Sequence, residues 1–141
     1  MFAVRYTYLP NANLSNANLS NVNLHKTLYN KRTKLPNNFE PTQKQMLLIA
    51  PGVNLSGADL SGVDFGNADF QGINLTNANL ENSILWYVKN LTPEQVKAAK
   101  NWDKAKYNEE FKKKLGLKLY KGNENGESYL GDVVPRNFES E

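Results

Sequence analysis

The sequence predicts an all-β solenoid: one chain coiled into stacked turns, followed by a short helical segment and an extended tail. Three observations predict it. Seven five-residue units follow one another without a gap from Val53. A second block of the same kind lies near the N-terminus. After Trp86 the repeat stops, and helix start signals take its place.

The longer block, residues 53–87, reads VNLSG ADLSG VDFGN ADFQG INLTN ANLEN SILWY. Its third positions are Leu55, Leu60, Phe65, Phe70, Leu75, Leu80 and Leu85. Its first positions are Val53, Ala58, Val63, Ala68, Ile73, Ala78 and Ser83. Asn or Asp stands between them in every unit but the last, which has Ile84. A period of five suits neither an α-helix nor a continuous strand. Within a unit, however, the first and third residues are two apart, so in extended backbone they point the same way. Both are apolar and belong inside; the Asn or Asp between them points out. The Ser, Thr, Gly and Asn residues that follow are turn chemistry and tolerate a positive φ. Each unit is therefore a short extended piece plus a corner. Repeated corners wind the chain into a coil whose turns stack ~4.8 Å apart and satisfy one another's backbone groups.

The first block, residues 1–29, contains ANLSN ANLSN VNLHK, with centres Leu14, Leu19 and Leu24. Counting by five reaches Leu9 and Val4 in one direction and Tyr29 in the other. The A-(D/N)-L-x-x pattern resembles the pentapeptide-repeat proteins; Ala58-Asp59-Leu60-Ser61-Gly62 and Ala78-Asn79-Leu80 fit it closely. The resemblance covers residues 4–29 and 53–87. It implies a right-handed quadrilateral β-helix with four units to the coil, so the two blocks supply about three coils. The outward Asn and Asp residues are then solvated faces, suited to side-chain-to-backbone bonds at the corners.

Residues 30–52 interrupt the repeat, and the blocks are out of phase: the interval from Tyr29 to Leu55 is not a multiple of five. The stretch holds a basic cluster, Lys31, Arg32 and Lys34, and an apolar run from Met46 to Ala50. An insertion in a solenoid is expected as a loop on one face, often a binding face. Leu48 and Ala50 are expected to form a degenerate unit where the run rejoins the coil. Leu28-Tyr29, Thr33-Lys34-Leu35-Pro36 and Phe39-Glu40-Pro41 resemble an insert recurrent in cyanobacterial members of the family.

Residues 88–117 are expected to cap the open coil end, where core and strand edges would otherwise be exposed. Thr92 is an N-cap with Pro93 behind it and Gln95 completing a capping box. That helix, carrying Val96 and Ala99 on one face, is expected to end near Asn101. Asn108 starts a second helix, with Glu109 and Glu110 first, Lys112–Lys114 last and Gly116 as C′ residue. Trp86, Trp102, Tyr107, Phe111 and Leu115 are the expected cap core. The segment also resembles the one that follows the repeats in many cyanobacterial members. The tail, residues 118–141, is rich in Gly, Asn and Glu yet carries Tyr120, Tyr129, Leu130, Val133, Val134 and Phe138. Apolar anchors in a polar segment suit partner binding.

Composition narrows the function. Seventeen Lys and Arg against 14 Asp and Glu leave +3, too little to imply a nucleic-acid partner. There is no cysteine and a single histidine, so neither a thiolate zinc site nor a cysteine nucleophile is available. Asp59, Asp64 and Asp69 recur every five residues on successive faces and cannot converge on one ion or substrate. No phosphate-binding glycine motif occurs. The expectation is a non-enzymatic protein–protein interaction or scaffold module, with no cofactor and no small-molecule substrate. Tyr120, Tyr129, Leu130, Val133, Val134 and Phe138 of the tail and Lys31, Arg32 and Lys34 of the insert are the candidate partner-binding residues. The cyanobacterial resemblance suggests a docking subunit of a photosynthetic assembly, cytoplasmic or peripheral to a membrane complex. The alternative that the family resemblance implies is a DNA mimic acting on a type II topoisomerase. Charge opposes it: residues 1–88 carry 6 basic and 5 acidic side chains, and residues 89–141 carry 11 and 9.

Overall fold

A computed structural model describes residues 7–119. The backbone returns over itself at near-constant intervals. In the second block, parallel partners are four repeat units apart: Asn54 with Asn74, Asp59 with Asn79, Asp64 with Ile84 and Asp69 with Lys89. Each rung is made by backbone groups of an outward residue and its neighbours, as in Leu60 N to Asn79 O (3.0 Å) and Asn79 N to Ala58 O (2.9 Å). A second set of bonds closes each corner. The N–H of a unit's first residue donates to the carbonyl of the preceding centre, as in Ala78 N to Leu75 O at 2.9 Å. Rungs and corners together use the backbone groups that a buried coil cannot leave unpaired.

The inward assignment of this block holds for every third position and for the first positions from Val63 on; Val53 and Ala58 are half-buried and pack against the core. Its seven centres are all buried, and Leu60, Phe65, Phe70 and Leu80 are wholly inaccessible. Phe65 and Phe70 meet edge to face, with centroids 5.0 Å apart and planes at 82°. The Asn and Asp residues between them have work at the corner. Their Oδ1 atoms accept the backbone N–H two residues on, from Asn54 (Ser56 N, 3.0 Å) through Asp69 (Gln71 N, 3.0 Å) to Asn79 (Glu81 N, 3.1 Å). Asn77 and Asn82, at fifth positions, adopt φ of 60° and 59°, the left-handed region that Asn tolerates best among residues with a side chain.

Three two-residue strands mark the other end: β1 (Tyr8–Leu9), β2 (Leu28–Tyr29) and β3 (Leu47–Leu48), all parallel in that order. Residues 30–52, expected as a loop that rejoins the coil near Leu48, are bonded into it earlier as well, at Lys34. Lys34 pairs with Asn13, and β3 pairs with β2 in the register Leu28–Leu47. The turn from Tyr8 to Leu28 spans four full units, and the next, from Leu28 to Leu47, is one residue shorter. Corners absorb a residue gained or lost while the rungs stay in step, which is why counting by five misses the continuity. Among the described residues, no rung joins Lys34–Gln45 to Val53–Phe65. The first block instead packs through the aligned row Tyr8, Leu28 and Leu47. Leu28 is fully buried in the same cluster as Leu55, Leu60 and Phe65, and Tyr8 and Leu47 pack against it. Centres within the first block are less protected: Leu14 and Leu19 are only half-buried.

Beyond Tyr87 the chain adds one more layer. Helix α1 (Pro93–Lys97) begins with Thr92 and Gln95 in a reciprocal capping box. It stops well before Asn101, because Lys100 returns to the ladder, bonding Leu80 N (3.0 Å) and Ala78 O (2.7 Å). Lys106 repeats the pattern with Leu85 N and Ser83 O, both at 2.8 Å. The ladder is therefore longer than the two repeat blocks alone supply. Helix α2 (Glu109–Leu115) starts at Asn108, whose side chain accepts from Phe111 N, and stops at Gly116 with φ 75°. Tyr107, Phe111 and Leu115 are buried against the coil and half-buried Trp102 packs on the same cluster, whereas Trp86 is half-exposed and outside it.

Candidate interaction surface

The corner that follows β2 carries Lys31 and Arg32 at its tip. Local hydrogen bonds fix it. Asn30 and Asn11 form a reciprocal pair, with Asn11 N donating to Asn30 Oδ1 and Asn30 Nδ2 to Asn11 Oδ1, both at 3.1 Å. Asn30 Oδ1 also accepts from Arg32 N (3.1 Å), and the Thr33 hydroxyl donates to Leu9 O at 2.7 Å. The two cations project from a braced turn.

A recess of about 450 Å³ opens beside this tip. Lys31, Arg32, Asp69 and Lys89 line it, together with Tyr8 and Pro51, which add apolar surface. The recess thus draws on coil turns far apart in sequence, at the junction of the two blocks. Asp69 Oδ1 accepts from Asn90 Nδ2 (2.8 Å) and Gln71 N (3.0 Å). These bonds, the one from Asn90 first, hold its carboxyl below the usual range, with Lys89 adding a smaller push in the same direction. Burial pushes the Tyr8 phenol up. Three cations against one carboxylate leave the recess positive.

Of the sequence candidates, Lys31 and Arg32 meet in this recess. Lys34 has an exposed side chain, and its backbone is tied into the rung with Asn13. Tyr120, Tyr129, Leu130, Val133, Val134 and Phe138 lie outside the described residues. Asp59, Asp64 and Asp69 stand on three separate ladders, and no group of metal-ligating side chains forms among the described residues. His25 is exposed, with its N–H on Asn23 Oδ1 at 3.1 Å.

Sequence reasoning missed Lys26. It occupies a corner position filled in most other units by Gly or Asn, at φ 58°, and its N–H donates to the carbonyl of Gln45, itself at 56°. Its amine reaches across the block junction to Asp59 Oδ2 at 2.8 Å and Ser61 Oγ at 3.3 Å. Lys26 is almost wholly buried while Asp59 is largely exposed. The bond from Lys26, with that from the Ser61 hydroxyl next, lowers the Asp59 carboxyl to about 2. A lysine where turn chemistry calls for glycine was the available signal. Lys89, Asp69 and Tyr8 offered none, because only the coil brings them to Lys31 and Arg32.

Comparison with known proteins bears on the ladder directly. The family model for pentapeptide repeats matches in 8 copies, over residues 4–27 and 51–86. Those segments are pentapeptide repeats. No curated protein and no solved structure matches it significantly. The matched residues of this pentapeptide-repeat chain omit Asn30–Ala50, which the ladder nevertheless includes. No helix among its described residues is long and apolar enough to cross a membrane.

Proposed function

We propose that this pentapeptide-repeat chain is a non-enzymatic protein–protein interaction module that docks onto a larger assembly. The recess lined by Lys31, Arg32 and Lys89 carries the reading: its rim is braced, its charge is positive, and Tyr8 and Pro51 add apolar surface. The rod is a right-handed quadrilateral β-helix, for which a turn of four units in the second block argues four sides. Residues 1–29 and 53–87 are its repeat blocks, 30–52 join them, 88–117 cap the end, and 118–141 form a tail that adds contacts to the same partner. The cyanobacterial resemblance makes a photosynthetic complex the first assembly to examine, with the chain cytoplasmic or peripheral to it. The outward rows do not favour duplex mimicry, since Asp59, Asn79 and Lys100 share one ladder and Asp64, Ile84 and Lys106 another.

Affinity capture from native lysate tests this proposal. Full-length bait is compared with Lys31→Glu/Arg32→Glu bait and with a bait ending at residue 117, all read by mass spectrometry. Specific partners retained by the full-length chain and lost on charge reversal support recess docking. Loss only on truncation moves the contact to the tail. Baits that retain nothing specific refute the interaction reading.

A further inference from the structure

We infer that the recess at the block junction is an acidic-peptide site: it takes an extended segment whose carboxylates flank an aromatic or aliphatic side chain. The inference rests on the docking reading above and names the chemistry of the partner.

Charge comes first. Lys31, Arg32 and Lys89 make no ion pair among the described residues, in contrast to Lys26 with Asp59, Lys104 with Glu81 and Lys114 with Glu110. The one carboxylate in the recess, Asp69, already accepts bonds from Asn90 and from Gln71 N–H. Three cations that Asp69 only partly offsets raise the local potential and favour an anion from outside. The planar fork of Arg32 suits a carboxylate, which it can bind through two parallel bonds.

Shape and surface then discriminate among anions. The volume, about 450 Å³, exceeds what a single inorganic anion needs and lies in the range of pockets that enclose an organic ligand. Tyr8 and Pro51 offer contacts that a bare anion would leave unused. A nucleic-acid backbone would run its phosphates past Asp69, whereas a peptide alternates carboxylates with neutral side chains. The tip bearing Lys31 and Arg32 is braced by Asn11, Asn30 and Thr33, so binding loses little to ordering it.

The test uses the full chain and a fluorescein-labelled random copolymer of Glu and Tyr, read by anisotropy at fixed low salt. Lys31→Glu/Arg32→Glu should weaken binding about ten-fold or more. Lys113→Glu/Lys114→Glu on α2 changes net charge equally and should weaken it less than about three-fold. Poly-Glu of the same length should bind at least about five-fold more weakly than the copolymer, because it lacks the ring. Circular dichroism confirms that both variants are folded. Equal losses in the two variants would reduce the effect to net charge and overturn the inference. So would equal binding of poly-Glu, no binding of the copolymer, or a heparin fragment that prefers the recess to the copolymer. If the copolymer ignores the recess while Lys31→Glu/Arg32→Glu bait still loses its lysate partners, docking stands and its acidic chemistry falls.

Discussion

Replacing Phe70 by Ala probes the interior of the coil where its packing is densest. The ring is wholly inaccessible and meets the Phe65 ring edge to face at 5.0 Å. A phenylalanine buries ~200 Å², which at ~25 cal/mol per Å² is worth about 5 kcal/mol of transfer. Alanine keeps the β-carbon and the coil relaxes a little, so the expected loss is about 4 kcal/mol, within the usual range for this change. The backbone bonds of residue 70, to Lys89 O (2.8 Å) and from Gln95 Nε2 (2.7 Å), do not depend on the ring. The effect should therefore be a cavity effect, with the ladder intact. Phe70→Leu, which fills most of the space, should lose no more than about 1.5 kcal/mol. Urea unfolding followed by circular dichroism measures both. With an m-value of ~2 kcal/mol/M, the alanine midpoint should fall by about 2 M. A loss under about 1 kcal/mol for alanine, at unchanged m, would mean that the ring is not inside and that third positions do not form the core.

Gln95→Ala should cost about 2 kcal/mol in the same assay, more than a lone cap. Its side chain completes the capping box with Thr92 and also donates to Phe70 O and Ile73 O (3.0 Å), so three bonds go together. Asn79→Ala should cost about 1–2 kcal/mol, because Oδ1 accepts from both Glu81 N and Asn101 Nδ2 (2.9 Å); a neutral result would make the outward amides mere solvated surface. Tyr107 gives a pH test. Burial raises its phenol pKa, and its hydroxyl donates to Trp102 O at 2.6 Å. The neutral form is thus favoured by folding, so its stabilisation is complete below the unfolded value of ~10 and lost as pH rises above it. Thermal melts between about pH 9 and 11 should show stability falling in the wild type and a shallower fall in Tyr107→Phe.

How much of this was legible depended on whether the signal was local. Leu55 to Leu85 announced their inward direction because each lies two residues from another small or apolar side chain. Thr92, Asn108 and Gly116 announced the helix ends through capping chemistry that depends only on near neighbours. The apolar run Met46–Ala50 signalled its return to the coil, but the unbroken rung was hidden because the turn between Leu28 and Leu47, one residue short of four units, breaks the count of five. The candidate site divided the same way. Lys31 and Arg32 stood out as a basic pair, but Lys89 follows the second block and reaches the recess only through the coil. The junction itself was invisible because Tyr8 and Leu28 of its packing row occupy outward positions of the first block and Leu47 lies in the interrupting stretch.

That junction is the central claim, since without it there is no recess, and Lys26 reports on it directly. Its amine lies 2.8 Å from the Asp59 carboxylate of the second block. Zero-length carbodiimide cross-linking of the dilute native protein, read by peptide mass spectrometry, tests the contact. The account predicts an amide between Lys26 and Asp59 that disappears in denaturant, alongside the exposed pair Lys104–Glu81 at 3.9 Å as internal control. Recovery of Lys104–Glu81 with Lys26 joined only to other carboxylates, or to none, would contradict it.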